Sequence, residues 1–295
     1  MSQSDLHAPV LAWYAAHARD LPWRRSECSP WGVFVSEVMA QQTPIARVLP
    51  AWTAWLRRWP TPAALAAEAP GEAIRAWERL GYPRRALRLH EAARAMVERH
   101  GGQVPDTQEE LLALPGVGAY TAAAVVTFAF GRRAVVLDTN VRRVLSRTVT
   151  GEQYPAPALT AAERALAARH VPDDEGIAAL WAVASMELGA LVCTARAPRC
   201  TTCPVAQLCR WRLAGAPAHR GPARRTQAYA GTDRYVRGQL LAALRSATRP
   251  MTGADLATAV PDGGLRDPRQ RERCLAALVE DHLVDVVTGG YALPR

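Results

Sequence analysis

Four cysteines fall within 17 residues, as Cys193-x6-Cys200-x2-Cys203-x5-Cys209, and this spacing constrains the chain more than any other feature. A segment that brings four thiols together over so short a span must fold as a compact loop around them. In a reducing compartment such a cluster suggests a metal centre before disulfides. The donor set admits a tetrahedral zinc ion, an iron–sulfur cluster or four unliganded structural cysteines. Arg196, Arg199 and Arg210 lie nearby in sequence and are expected to offset the thiolate charge. Cys28 and Cys274 stand outside the pattern.

The charge pattern narrows the chemistry. All 36 basic residues are arginine, against 27 acidic ones, which leaves a formal charge of +9. With no lysine, a side-chain Schiff base cannot form, and no phosphate-binding loop ending in GK[ST] exists. Arginine suits a polyanionic partner. Between Leu188 and Thr232 there are arginines but no acid, so the stretch is either a solvated basic tail or a surface that tracks phosphates. The uncharged run from Leu111 to Gly131 is broken by Pro115-Gly116 and Gly118, so it reads as a turn and a buried helix rather than a membrane span. The opening MSQSDLHAPV lacks the pattern of a signal peptide, and a cytoplasmic location is expected.

Most of the chain reads as helix, with Pro and Gly punctuation between apolar repeats. Thr61-Pro62 and the Thr107/Glu110 pair mark helix starts. Leu114-Pro115-Gly116-Val117-Gly118 reads as a tight helix hairpin. The helix that follows presents backbone N–H groups and a positive dipole end to a phosphate, although a plain turn between helices has the same pattern. After a linker rich in Pro, Gly and Ala come helices over Arg234–Ala247, Thr252–Ala259 and Arg269–Leu283, then a hairpin around Gly289-Gly290. That is a winged-helix-like outline, which serves equally as a DNA binder or as a packing module.

LPGVG, then Asp138 in VVLDTNVRRV, then the four-cysteine loop, resembles the helix-hairpin-helix DNA glycosylase superfamily that contains endonuclease III. Leu21-Pro22-Trp23-Arg24, Val35 to Thr43 (VSEVMAQQT), Leu80-Gly81-Tyr82 and Met186 to Ala190 (MELGA) resemble its MutY adenine DNA glycosylases. The likeness covers about residues 6 to 212. It implies a mainly α, two-lobed fold with a [4Fe-4S] cluster on Cys193, Cys200, Cys203 and Cys209. Residues 27–133 are expected as a helical bundle, 1–26 and 134–212 as the cluster lobe, 213–232 as a basic linker and 233–295 as the winged-helix-like unit. Tyr120 stands where the bifunctional lineage has lysine, and Glu37 stands where that lineage lacks glutamate. Both point to a monofunctional enzyme.

The implied reaction removes adenine opposite 8-oxoguanine or guanine in double-stranded DNA and leaves an abasic site. Adenine leaves poorly as an anion, so the reaction needs an acid, together with an anion beside the cationic sugar. Glu37 lies in the apolar run VFVSEVMA, where burial favours a protonated carboxyl. The resemblance makes it the general acid. It makes Asp138 the stabiliser of the oxocarbenium-like sugar, a role compatible with an N-cap. Asn140 and Tyr120 are implied as pocket partners and Glu187 as a secondary catalytic glutamate. Arg24, Gln42, Thr43, Tyr82, Leu114, Gly116 and Gly118 are implied as DNA-contacting positions. A monomer is expected. The NUDIX-like domain typical of the family has no counterpart in the last residues, which puts recognition of 8-oxoguanine by such a domain in doubt. Two alternatives are a related mismatch glycosylase with another target base and a non-catalytic iron–sulfur DNA-binding regulator.

Overall fold

A computed structural model of the chain describes residues 3–219 and 230–295. Arg220, Arg224 and Arg225 of the expected basic linker lie outside the described residues. The fold is mainly helical. In chain order the helices are α1 (His7–His17), α2 (Pro30–Ala40), α3 (Ile45–Arg58), α4 (Pro62–Ala66) and α5 (Pro70–Ala76). Then come α6 (Arg84–His100), α7 (Gln108–Leu112), α8 (Ala119–Phe130), α9 (Thr139–Leu145) and α10 (Ala161–Arg169). The series ends with α11 (Glu175–Leu191), α12 (Arg210–Leu213), α13 (Asp233–Ser246), α14 (Gly253–Ala259) and α15 (Gln270–Glu280). Strands β1 (Asp285–Val287) and β2 (Gly290–Ala292) pair antiparallel, with Val286 opposite Tyr291.

Helix starts follow the expected chemistry. Thr61 Oγ1 accepts the Ala64 amide at 3.2 Å, and Thr107 Oγ1 accepts that of Glu110 at 3.2 Å. Ser29 Oγ accepts the Gly32 amide at 3.2 Å while Pro30 takes the first position of α2.

The chain forms two compact units. The first comprises Met1–Phe34, Asp106–Ala113 and Val117–Ala223. Its core gathers Leu6 and Val10 of α1, Val141, Val144 and Leu145 of α9, and Trp181, Ala184 and Leu188 of α11. Val205 of the cysteine loop joins the same cluster, so the loop is continuous with the core. Helix α8 packs on α7 and α11 within this unit.

The second unit comprises Val35–Pro105, Leu114–Gly116 and Arg224–Arg295. Here α6 packs on α4 and α5, and Trp55 meets Trp59 and Trp77 edge-on at centroid distances of 4.6 and 5.7 Å. The C-terminal helices build a smaller core of Val236, Leu240, Leu244, Leu256, Leu278 and Leu283, with α13 packed on α14 and α15. Three helices and a terminal hairpin are found where the sequence places them. Arg245 of α13 donates Nε to the Ile74 carbonyl at 2.9 Å, which ties α13 to the end of α5.

Gly71 in α5 donates its N–H to the Pro294 carbonyl at 2.8 Å. A Cβ at Gly71 would lie 2.4 Å from that oxygen and 2.9 Å from Leu293 Cβ. Gly71→Ala is therefore expected to lower stability by about 1–3 kcal/mol and to expose the C-terminal helices to protease. Urea unfolding and limited proteolysis check this, and wild-type behaviour in both would refute the packing.

Candidate functional site

Helix α2 is buried on all sides from Trp31 to Met39, as its nearly unbroken apolar sequence requires. Glu37 lies within that run and is 8% exposed, so it is not a solvent-facing glutamate. A carboxyl there sits among Val33, Phe34, Val38 and Met39, which are also buried.

Asp138 caps α9. Its Oδ1 accepts the amides of Asn140 at 2.8 Å and Val141 at 2.7 Å, and its Oδ2 accepts Asn140 Nδ2 at 2.6 Å. Burial pushes its pKa upward, while these donors and the Arg143 charge pull it down. The carboxylate is thus poorly hydrated but held in one orientation, which suits an anion facing developing positive charge. Asn140 is fixed in turn: its Oδ1 accepts Arg143 Nη2 at 2.8 Å. Gly189 of α11 lets α9 approach closely, since a Cβ there would lie 2.6 Å from Asn140 Cβ. Tyr120 is half-buried in the first turn of α8.

Glu187 is fully buried and saturated. Its Oε1 accepts the Arg19 amide at 3.1 Å and Arg19 Nε at 2.7 Å. Its Oε2 accepts Arg19 Nη2 at 2.6 Å and Arg24 Nη2 at 2.8 Å. These partners outweigh desolvation and hold its pKa down at about 2. Ionised at neutral pH, the glutamate expected to assist catalysis pairs with Arg19 and with Arg24, the arginine expected at the DNA. Arg19 went unremarked in the sequence because nothing local links it to a residue so far along the chain.

Two turns in the second unit carry the other expected DNA-contacting residues. Gln42 (φ 51°) and Tyr82 (φ 49°) are both in the left-handed region, and both are exposed. Thr43 is turned inward: its hydroxyl faces the Gln41 and Leu80 carbonyls at 3.1 and 3.3 Å. Arg85, which the sequence reading missed, ties the turns together. Its Nη1 donates to Val38 O at 3.0 Å and Met39 O at 3.3 Å, capping the end of α2. Its Nη2 reaches Thr43 Oγ1 at 3.2 Å and Gly81 O at 3.1 Å. The only local signal was an arginine two residues after a Gly-Tyr-Pro turn.

The hairpin forms as expected, but its residues divide in role. Leu114 is a buried core side chain, so only its backbone is available to a ligand. Gly116 has φ 74°, and a Cβ there would lie 2.6 Å from Arg88 Cβ; the fold itself demands glycine. Gly118 has an ordinary φ of −101° and open space around it. Gly118 offers no side-chain cap to the start of α8.

Cys193, Cys200, Cys203 and Cys209 line one small cavity with Val144, Leu188, Val192 and Val205. Among the described residues, no three metal-ligating side chains converge on a single-ion site. Four thiols spread around an apolar cavity fit a larger, multinuclear group better than one ion. Burial raises the Cys203 thiol to about 11 and also raises Cys209, with the neighbouring cysteines adding to the effect. A cationic core is what makes four thiolates tolerable there. Of the arginines expected near the loop, Arg196, Arg199 and Arg210 are exposed, and Arg199 lines the cavity with the cysteines. Buried Arg147, which the sequence reading missed, donates Nη1 to Thr194 O at 2.8 Å and to Cys193 Sγ at 3.4 Å, and lies 4.8 Å from the Trp211 ring. Arg143 donates Nε to Cys193 O at 2.6 Å and Nη2 to Gly189 O at 2.6 Å.

Two outcomes follow. Glu187 stabilises the fold by an amount on the order of 3 kcal/mol above its ordinary pKa of 4.5, and this is lost as pH falls from there through about 2. Glu187→Gln should therefore be markedly less stable at pH 7, and the gap to wild type should narrow below pH 4.5 in urea titrations. For the loop, Cys203→Ser should lose the brown iron–thiolate colour and about four irons per chain, whereas Cys28→Ser and Cys274→Ser should keep both. Iron analysis and visible absorbance decide this.

A model of the HhH-GPD superfamily base excision DNA repair proteins matches residues 35–168, and one for the iron-sulfur binding domain of endonuclease III matches residues 193–209. The four cysteines accordingly hold a [4Fe-4S] cluster. An adenine DNA glycosylase of Mycobacterium tuberculosis is 51% identical over 286 residues, which is 97% of this chain and 92% of the relative. That match takes in the C-terminal helices. The adenine DNA glycosylase of Homo sapiens is 42% identical over 211 residues, covering 69% of this chain and 38% of the human protein. A solved thermostable thymine-DNA glycosylase superposes with a TM-score of 0.63 at 27% identity, over 72% of this chain and 97% of its own. The chain belongs to the adenine DNA glycosylase family, within the HhH-GPD superfamily of base excision DNA repair proteins.

Proposed function

We propose that the protein hydrolyses the bond between adenine and deoxyribose where adenine is mispaired with 8-oxoguanine or guanine in double-stranded DNA. The observation that carries this reading is the Asp138 carboxylate, desolvated yet held by three N–H donors, in a chain whose buried α2 carries Glu37. Extruding the adenine from the stack makes its ring nitrogens accessible. Glu37 gives its proton to a ring nitrogen, so that adenine departs neutral. The C–N bond electrons leave with the base, and the sugar becomes oxocarbenium-like. Asp138, oriented by Asn140, faces that charge. Water then adds to the sugar carbon and returns a proton to solvent or to Glu37, leaving an abasic site. Two carboxyls in unlike environments divide these tasks, as in glycoside hydrolysis.

Arg143 links Asn140 to the cysteine loop and keeps the Asp138 cap in place. The cluster, when bound, supplies structural closure of that loop and compensates its thiolates. Gly116, Gly118 and the uncapped start of α8 fit a phosphate contact that positions DNA without reading its sequence. Glu187 and Arg24 support the fold. On this reading the protein works as a monomer on cytoplasmic DNA. No described helix is long and apolar enough to cross a membrane.

Glu37→Gln should lower single-turnover adenine release by about 10²- to 10⁴-fold while duplex affinity stays within a few-fold. Wild type should leave strand breaks only after alkali, and borohydride should trap little protein, because without lysine only the α-amino group can form a Schiff base. A panel of A:8-oxoguanine, A:G and T:G duplexes tests the reading. Release of thymine in preference to adenine, or binding with no base release, would overturn it.

A further inference from the structure

The segment 77–83, which joins α5 to α6, carries strained backbone. Glu78 (φ 45°) and Tyr82 (φ 49°) are left-handed without being glycine, and Gly81 beside Tyr82 has φ 83°. Side chains rarely tolerate that conformation, so neighbouring groups must hold it in place. At the Tyr82 end the holders are close in sequence. Trp77 Nε1 donates to the Gly81 carbonyl at 2.8 Å, and Arg85 Nη2 donates to the same oxygen at 3.1 Å. At the Glu78 end the holder comes from the C-terminal helices. Arg245, in the last turn of α13, donates Nε to the Ile74 carbonyl at 2.9 Å and Nη1 to the Glu78 carbonyl.

One guanidinium thus bridges the end of α5 and the first left-handed residue after it. The Ile74 carbonyl is among the last of α5, where the helix supplies no further N–H of its own. Burial pulls the Arg245 guanidinium down to about 10, so it stays charged at neutral pH and donates from a poorly hydrated position. The other end of α5 is held from the same side, by the Gly71 N–H on the Pro294 carbonyl. The C-terminal helices therefore grip this short helix at both ends and set the angle at which the chain leaves it. The Tyr82 ring is itself clasped, with the guanidiniums of Arg85 and Arg234 at 5.2 and 4.9 Å from its centroid.

We propose that Arg245 is a positioning residue for Tyr82: through Glu78 and the end of α5 it fixes the turn that presents the ring to a duplex. The inference rests on the glycosylase reading, in which Tyr82 meets the DNA. Taking a base out of the stack costs free energy. A side chain pressed against the opened duplex supports it only if the turn beneath does not yield. The C-terminal unit then acts on the reaction as a buttress, through contacts within the protein, and Arg245 touches neither the adenine nor its partner base.

The test is a double-mutant cycle on cluster-loaded protein, read as single-turnover adenine release from an A:8-oxoguanine duplex at saturating enzyme. Arg245→Met keeps an extended side chain and removes its donors. It should slow release about tenfold, the scale expected of a misplaced positioning group. Tyr82→Ala should slow release as well. The double variant should be no slower than Tyr82→Ala, because both substitutions remove one effect. In the Glu37→Gln background, 2-aminopurine beside the target adenine reports unstacking on binding, and it should brighten less when Arg245→Met is added. Arg245→Lys keeps the charge without the fork, and it enters the same cycle with the same expected non-additivity if Arg245→Met does not fold. Losses that add, or a wild-type rate in either Arg245→Met or Tyr82→Ala, would overturn the assignment while leaving the glycosylase reading intact. A wild type that releases adenine from neither A:8-oxoguanine nor A:G would overturn that reading and the inference with it.

Discussion

The first unit depends on a single guanidinium. Arg143 donates to the Gly189 carbonyl of α11, the Cys193 carbonyl of the loop and the Asn140 side chain on its own helix. Helix α9 and the junction of α11 with the cysteine loop, far apart in sequence, are thereby fixed around one planar group. Lysine could not do this, because a point charge on a flexible stem lacks the fork that satisfies several fixed acceptors at once. The orientation of Asp138, the depth of α9 against α11 and the start of the cysteine loop all rest on this contact. Gly189 makes it possible by allowing the two helices to approach.

The second unit repeats the device. Arg85 collects the last carbonyls of α2 and the Gly81 carbonyl, and so fixes the two left-handed turns that present Gln42 and Tyr82. Left-handed backbone at non-glycine residues costs free energy and persists only where surroundings over-determine it. Gln42 and Tyr82 are two such residues, both exposed, and Arg85 fixes their neighbours Gln41, Thr43 and Gly81. Arg147 plays a third such part at the cysteine loop.

Two carboxylates of the first unit differ in charge balance. Glu187 is matched by two arginines, ionised and closed to solvent. Asp138 receives amide donors but no direct ion pair among the described residues, and burial works against its charge. A carboxylate left in that condition gains most when a cation arrives beside it. The two acids would be indistinguishable from composition, and their partners alone tell them apart.

Much was legible in the sequence because it was local. The cysteine spacing, the Pro-Gly hairpin, the Thr caps of α4 and α7, the burial of Glu37 in an apolar helix and the capping place of Asp138 all depend on residues within a turn or two of each other. The three C-terminal helices and their hairpin were readable from short-range periodicity for the same reason. What the tertiary structure decided was long-range: that Arg19 and Arg24 close on Glu187, that Thr43 turns inward onto Arg85, and that Arg143 and Arg147 bond to the cysteine loop. Likewise only the fold brought α13 to the Tyr82 turn and set Arg234 over its ring. Arginine has a long reach and many donors, and its partner is chosen by which carbonyls and carboxylates the packed helices bring within a few ångströms. In a chain whose every basic residue is arginine, local sequence cannot say which ones are buried ties and which are free to meet a phosphate.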